Sequence, residues 1–307
     1  MNIKRAVITG ATGAIGMALL DELIKNGVEV LVLCREGGRT ARIPKHPLIT
    51  LKYCELSELS ALENDTGKSF DVFYHLAWAG TTGAARNDTL LQNENVRYAI
   101  DAVAAAERLG CHTFVGVGSQ AEYGRFEGQL TPSTPTFPEN GYGIAKLAAG
   151  ALTRIEAERR GLRHIWVRVL SVYGPHDGEN SLITSTINKL LAGERPQFTA
   201  GEQLWDFLYS KDAARALYLL GERGKSGAVY VLGSGEARPL KEYVLALCGE
   251  VAPETPVTLG EIPYAPLQVM HLCADIGAIT ADTGWVPTTD FAEGIKETLS
   301  WARNGKD

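Results

Sequence analysis

Thr9-Gly10-Ala11-Thr12-Gly13-Ala14-Ile15-Gly16 is the stretch on which the fold of this chain turns. The apolar run Ala6-Val7-Ile8 precedes it, and Ile15, Leu19, Leu20, Leu23 and Ile24 recur behind it at helical spacing, with Gly27 where a left-handed cap would end that helix. The three glycines therefore sit on a strand-to-helix turn. Glycine there permits a tight turn and close backbone approach, and the N–H groups at the positive end of a helix can receive a pyrophosphate. Gly10, Gly13 and Gly16, with Thr12, Ala14 and Ile15 between them, are accordingly candidates for binding a dinucleotide. Spacing alone does not decide this. Gly221-Glu222-Arg223-Gly224-Lys225-Ser226-Gly227 repeats the pattern, but it precedes the strand-like residues 228–232 instead of opening a helix, and reads as a turn.

Outward from the loop, β-branched runs at residues 5–9, 28–33, 49–53, 72–76, 113–117 and 164–169 alternate with helical patterns. Such successive βαβ units predict an α/β fold, a doubly wound parallel Rossmann sheet. After Gly174-Pro175 the alternation loosens and Pro and Gly become frequent, while residues 228–232 return to the main sheet. The expected division is a nucleotide-binding domain, 1–170 with 205–233, and a smaller, mostly C-terminal α/β substrate domain, 171–204 with 234–307. The Ala-rich helix at 95–109 suits either covering the sheet or packing on a second copy, so a homodimer stays open.

The 307 residues, 45% hydrophobic and 21% charged, can bury a large core. With a formal charge of −6 and no basic block, the chain offers no footprint for nucleic acid. The five cysteines are widely spaced with no C-x-x-C pair, which argues for buried thiols and against a metal site. No apolar stretch approaches the length of a membrane span, and a cytoplasmic location is expected.

Selection between dinucleotides is read at the end of the second strand, where Asp or Glu suits the ribose hydroxyls of NAD and Arg suits the 2′-phosphate of NADP. Here the strand ends Leu33-Cys34-Arg35, with Arg39 beyond. Planar guanidiniums match a phosphate, so NADP is expected over NAD.

Of eleven tyrosines, only Tyr142 has a lysine four residues later, Lys146, on the same helical face. An ammonium about 4 Å from a phenol contributes roughly 4 kcal/mol at an effective dielectric of 20. That corresponds to a lowering of roughly three pKa units, suited to proton transfer near neutral pH.

Residues 9–16, His75-Leu76-Ala77-Trp78, Gly118-Ser119-Gln120-Ala121-Glu122-Tyr123-Gly124, Tyr142 with Lys146, and residues 168–175 occur in an order that resembles the extended short-chain dehydrogenase/reductases acting on nucleotide sugars. The likeness continues through Trp205-Asp206-Phe207 and residues 275–285. It implies that Ser119 hydrogen-bonds the reacting oxygen, Tyr142 exchanges its proton, and Lys146 holds the nicotinamide ribose. It further implies cofactor contacts from Glu55, Leu56, Leu76, Ala77, Trp78, Tyr142, Lys146 and Leu170. A nucleotide-sugar substrate would meet Trp78, Ser119, Gln120, Ala121, Tyr142, Ser171, Leu182, Phe198, Trp205 and His271.

Dehydratases of this family carry an Asp-Glu pair where this chain has Gln120-Ala121, which cannot exchange protons. Reductases that also epimerise carry a Cys where Ala121 stands and a His near Leu182; His176 reads as a loop residue. Two readings remain. The main expectation is NADPH-dependent reduction of a 4-keto-6-deoxyhexose on a nucleotide, since residues 118–124 and 204–208 are most similar to 4-ketoreductases of CDP-linked deoxysugars. The alternative is a 4-epimerase holding NAD tightly; a non-catalytic dinucleotide sensor is a third class. The nucleotide end departs from the family: Ser171 replaces a common Asn, while Trp205 and His271 replace common Arg residues. This implies a non-uracil base or a different grip on the diphosphate, with Trp205 either stacking on the ligand or buried beside Phe207.

Overall fold

A computed structural model describes residues 2–304, so residue 1 and residues 305–307 of the two expected domain ranges lie outside it. The chain begins β1 (Arg5–Thr9), α1 (Ala14–Lys25), β2 (Glu29–Cys34), β3 (Ile49–Tyr53), β4 (Val72–His75), α2 (Thr89–Arg108), β5 (Thr113–Ser119), α3 (Gly141–Arg159) and β6 (Arg163–Val169). It continues β7 (Ser171–Tyr173), α4 (Leu182–Leu191), β8 (Leu204–Trp205), β9 (Phe207–Tyr209), α5 (Ser210–Arg223), β10 (Ala228–Leu232), β11 (Arg238–Pro239), α6 (Leu240–Val251), α7 (Gly277–Thr283) and α8 (Phe291–Arg303).

Seven strands form one sheet in the order β10-β6-β5-β4-β1-β2-β3, every pairing parallel. Alternation along the strands explains how both faces are buried: Ala6 and Ile8 of β1 join Leu19, Leu20 and Leu23 of α1 and Leu217 of α5. Val7 points the other way, into a cluster with Ala102, Val103 and Ala106 of α2 and Ala157 of α3. The Ala-rich helix thus covers the sheet. The strand order reverses between β1 and β4, which places a crevice beyond their C-terminal ends, level at the pair Thr9 and His75. Phe73, Phe114, His164 and Trp166 form a ladder of stacked rings across β4, β5 and β6.

The smaller C-terminal α/β part packs α4, α6 and α8 around Ile183, Ile187, Val244, Leu247, Ile295 and Leu299. It carries two short sheets, β8 with β11 antiparallel and β7 with β9 parallel. The second glycine triplet differs from a plain turn. Gly221 lies in the last turn of α5, where a Cβ would meet the Tyr74 hydroxyl at 2.2 Å, and Gly224 caps that helix. It ends one helix and opens none. Four cysteines are buried and Cys34 is half-buried, all as free thiols. Among the described residues no helix is long and apolar enough to cross a membrane.

Candidate active site

The three glycines of the first loop do different work. Gly10 has φ 76°, and a Cβ there would lie 2.6 Å from the Ala77 backbone nitrogen, so only glycine lets β1 turn beside the end of β4. A Cβ on Gly16 would come within 2.1 Å of the Gly10 carbonyl, so this glycine sets the approach of α1 to the loop. At Gly13 a Cβ would meet nothing within 4 Å. That open side faces a cavity of about 660 Å³, and Gly13, the N-cap of α1, has no side chain occupying the helix end.

Gly10, Thr12, Gly13, Arg35, Glu55, Leu56, Leu76, Ala77 and Trp78 all line this cavity. Ala14, Ile15 and Gly16 form the first turn of α1 behind it, and Leu170 is buried just after β6. Arg35 is exposed on its rim, and Arg39 is exposed and outside the lining. Among the described residues neither arginine forms an ion pair, whereas Arg42 reaches the Thr12 carbonyl at 3.3 Å. The backbone N–H groups at the start of α1 and the open face of Gly13 could hold a dinucleotide pyrophosphate.

Ser119, Tyr142 and Lys146 converge at the C-terminal edge of β5. Ser119 ends that strand, its N–H donating to Glu122 Oε1 at 2.8 Å and its Oγ accepting from Ala121 N–H at 3.2 Å. Glu122 is fully buried and held by Arg168 Nε at 2.7 Å and by Trp166 Nε1. Asn140 caps α3 through the Gly143 N–H, which sets Tyr142 in the first turn, buried, with Lys146 one turn on. The Lys146 ammonium donates to the Val117 carbonyl at 2.6 Å and lies 3.8 Å from the centroid of the Trp78 ring. Trp78 meets the Tyr142 ring edge-on, at 6.2 Å between centroids.

The expected electrostatics of the pair need correction. Burial raises the Tyr142 phenol above its ordinary value, opposed by a hydrogen bond with the Ser119 side chain and by the charge of Arg86. Burial also draws Lys146 down to about 7. Its nitrogen is 5.8 Å from the Tyr142 ring centroid and turned to the Val117 carbonyl, and the phenol stands above its ordinary value where sequence spacing suggested a lowering.

Several residues of the site escaped the sequence reading. Gln92, buried in α2, accepts from Trp78 Nε1 and donates to the carbonyls of Gly80 and Ala85. Asn95, one turn on, pairs with both the N–H and the C=O of Ala79. Together they pin the loop after β4, including the short 3₁₀ helix Gly83–Asn87 that carries Arg86. The signal was present: Gln92 and Asn95 continue the buried register of Ala99, Ala102 and Ala106, where an apolar side chain would be expected.

A second cavity, of about 350 Å³, opens in the smaller part and is lined by Ser171, Leu182, Phe198 and Trp205 together with Tyr173, Phe207, Leu240 and Val244. Its lining contains no Lys, Arg or His. Trp205 is half-buried with its ring 6.5 Å from Phe207, so it both packs and faces the cavity. Gln203, missed in the sequence, is 4% exposed with a buried Oε1 that has no partner. Asp177 also lines the cavity, its carboxyl raised by burial. His271 is elsewhere: its Nδ1 accepts from Gly128 N–H at 3.2 Å and it bridges Leu204. Gln120 is half-buried and Ala121 buried beside Ser119. Among the described residues no cluster of His, Cys, Asp and Glu could hold a metal ion.

The model of the NAD dependent epimerase/dehydratase family matches residues 6–233. The dTDP-glucose 4,6-dehydratase of Neisseria meningitidis serogroup B is 25% identical over 337 residues, covering 99% of this chain and 94% of that protein. Among solved structures, a UDP-N-acetylglucosamine 4-epimerase from Methanobrevibacter ruminantium, in complex with UDP-N-acetylmuramic acid, superposes with a TM-score of 0.88 at 24% identity, covering 99% of each chain. A Bacillus cereus UDP-glucuronic acid 4-epimerase in complex with UDP-glucuronic acid and NAD gives 0.85 at 20% identity, covering 98% of this chain and 99% of that one.

These findings overturn two expectations, NADPH-dependent 4-keto reduction and the preference for NADP. The matched family is NAD dependent, the relatives are epimerases and dehydratases instead of CDP-linked 4-ketoreductases, and the Bacillus cereus epimerase holds NAD. The physical fault lay in reading Arg35 and Arg39 alone. Both are exposed, only Arg35 touches the cavity, and the lining also carries the carboxylate of Glu55. The family model spans the whole parallel sheet with the glycine loop and the Ser119, Tyr142 and Lys146 positions, and this chain belongs to the NAD dependent epimerase/dehydratase family.

Proposed function

We propose that the chain is a nucleotide-sugar 4-epimerase that keeps NAD bound through its cycle. The observation that carries this reading is the convergence of Ser119, Tyr142 and Lys146 beside Trp78, which lines the glycine-loop cavity. Its ring touches both Tyr142 and Lys146. Ser119 pairs with Val169 at the ends of β5 and β6, two residues before Ser171 enters the lining of the second cavity.

Gly13 and the N–H groups of α1 would hold the pyrophosphate, and Lys146 the nicotinamide ribose. NAD in this cavity supplies reversible hydride acceptance from a carbinol carbon. Ser119 Oγ would bind the sugar oxygen at C4 and Tyr142 Oη would take its proton as hydride leaves C4; the 4-keto sugar then turns its other face to the same site, and hydride and proton return to give the inverted carbinol. Tyr142 is buried, which excludes water from that exchange. The second cavity receives the nucleotide, with Trp205 and Phe198 as its flat walls and Gln203 Oε1 as an acceptor for an N–H donor.

Epimerisation is favoured over dehydration by the residues after Ser119. Removing water from the sugar needs an acid and a base, and Gln120 and Ala121 have no ionisable group. The next carboxylate, Glu122, is committed to Arg168, Trp166 and the Ser119 N–H.

The test is to purify the protein, denature it and identify the dinucleotide released, then incubate native enzyme with UDP-, dTDP-, GDP- and CDP-hexoses without added cofactor. One NAD per chain and the C4 epimer of one of these substrates are expected. NADP in the released fraction, or a 4-keto product, would contradict the reading.

A further inference from the structure

Tyr142 is faced by groups from five elements. Lys146 comes from its own helix, Ser119 from the end of β5, Glu122 from the turn that follows, the Trp78 ring from the end of β4, and Arg86 from the 3₁₀ helix Gly83–Asn87. The two cations are not equally placed. The Arg86 guanidinium carbon lies 4.4 Å from the Tyr142 ring centroid, against 5.8 Å for the Lys146 ammonium.

Lys146 is also otherwise engaged, with the Val117 carbonyl and the Trp78 face. Among the described residues the Arg86 side chain donates one hydrogen bond, at 3.1 Å to the Thr81 carbonyl within its own loop. That loop is held on two sides. Gln92 fixes it from α2, and the Asn87 side chain accepts from the Gly141 N–H, the first residue of the helix that carries Tyr142. Gly141 lets the two backbones approach closely, since a Cβ there would come within 2.9 Å of the Arg86 carbonyl. The Arg86 backbone is thereby held beside the helix that carries Tyr142.

We propose that Arg86 is a positioning residue for the reaction, the cation that holds the Tyr142 phenol ready to release its proton. The inference rests on Tyr142 being the proton carrier. A cation over an aromatic face stabilises the phenolate more than the phenol, because the anion adds charge to the ring system it faces. The direction agrees with the opposition of Arg86 to the effect of burial on Tyr142. Lys146 is left to the ribose and to Trp78.

The test reads the ionisation of Tyr142 directly. Full-length protein is labelled with 3-fluorotyrosine, whose phenol ionises at lower pH than that of tyrosine, and followed by fluorine NMR; the Tyr142 signal is assigned by its loss in Tyr142→Phe. Arg86→Met and Arg86→Gln should each raise the Tyr142 midpoint by about 0.5 to 1 pH unit, the equivalent of a partly desolvated cation–π contact. Arg86→Lys should recover at least half of that shift. A midpoint unchanged in both neutral variants, or moved equally in all three, would overturn the assignment, the second because it reports repacking instead of charge. Two neutral variants guard against one failing to fold. The titration requires no turnover, so an inactive chain with a shifted midpoint refutes the reaction and keeps Arg86, whereas an active epimerase with an unshifted midpoint does the reverse.

Discussion

The cavity beside the glycine loop and the cavity beside Trp205 are made from different materials. The first gathers the C-terminal ends of adjacent parallel strands, with Gly10, Gly13, Leu76 and Ala77 in its lining. The second is walled by side chains from well-separated segments, Ser171, Leu182, Phe198, Trp205 and Leu240 among them, and its lining carries no cation. Backbone amides recognise a pyrophosphate whatever the rest of the ligand, while a side-chain wall can change its ligand by substitution. A dinucleotide half of this kind can be kept while the side-chain wall of the other cavity is changed.

The largest expected effect lies at the convergence beside Trp78. Tyr142→Phe should lower turnover by about 10² to 10⁴ while dinucleotide binding persists, because only a proton carrier is lost. Steady-state rates and the bound dinucleotide measured on the same sample check both halves of that statement.

Within the first cavity the glycines should separate. Gly16→Val forces a side chain against the Gly10 carbonyl and the Ala11 Cα, a rigid backbone contact, and should destabilise the fold by about 3 kcal/mol. Gly13→Ala meets open space and should leave stability within about 0.5 kcal/mol while weakening the dinucleotide at least about tenfold. Urea unfolding and dinucleotide titration distinguish them; equal losses of stability would erase the division of labour between these glycines.

The sheet under the first cavity should be sensitive to acid. Burial lowers His75 to about 3 and His164 to about 4, so the unfolded chain binds more protons than the folded one below the ordinary histidine value. Stability should be retained near neutrality and fall as pH drops through about 6.5 toward 4, by up to about 1.4 kcal/mol per unit for each histidine. Urea midpoints at pH 7 and pH 5 measure it, and His164→Gln should flatten the slope. The smallest effect belongs to the second cavity. Trp205→Ala should raise the Michaelis constant for the nucleotide sugar about two- to tenfold through lost stacking, with kcat within about a factor of two.

The same contrast accounts for what could be read without coordinates. The doubly wound sheet and the glycine loop follow from local periodicity and backbone requirements, and Tyr142 with Lys146 from one helical turn. The dinucleotide preference was misread because the end of β2 was taken alone, whereas the cavity lining also carries Glu55, two residues beyond the end of the neighbouring β3. The state of Tyr142 was misread because Lys146 points to the Val117 carbonyl and Arg86 comes in from a loop 56 positions earlier in the chain (142 − 86). Ser171, Leu182, Phe198 and Trp205 meet only through tertiary folding, and His271, grouped with them by resemblance, lies outside the cavity's lining.

A nucleotide hexose deuterated at C4 tests the epimerase account most directly, with purified enzyme and no added cofactor. The expected result is the C4 epimer with its deuterium still at C4, since it is withdrawn as deuteride to a bound nicotinamide, where the C–D bond does not exchange with water, and returned to the same carbon. Deuterium found at C6, lost to solvent, or retained in unreacted substrate until oxidised NADP is supplied would contradict it.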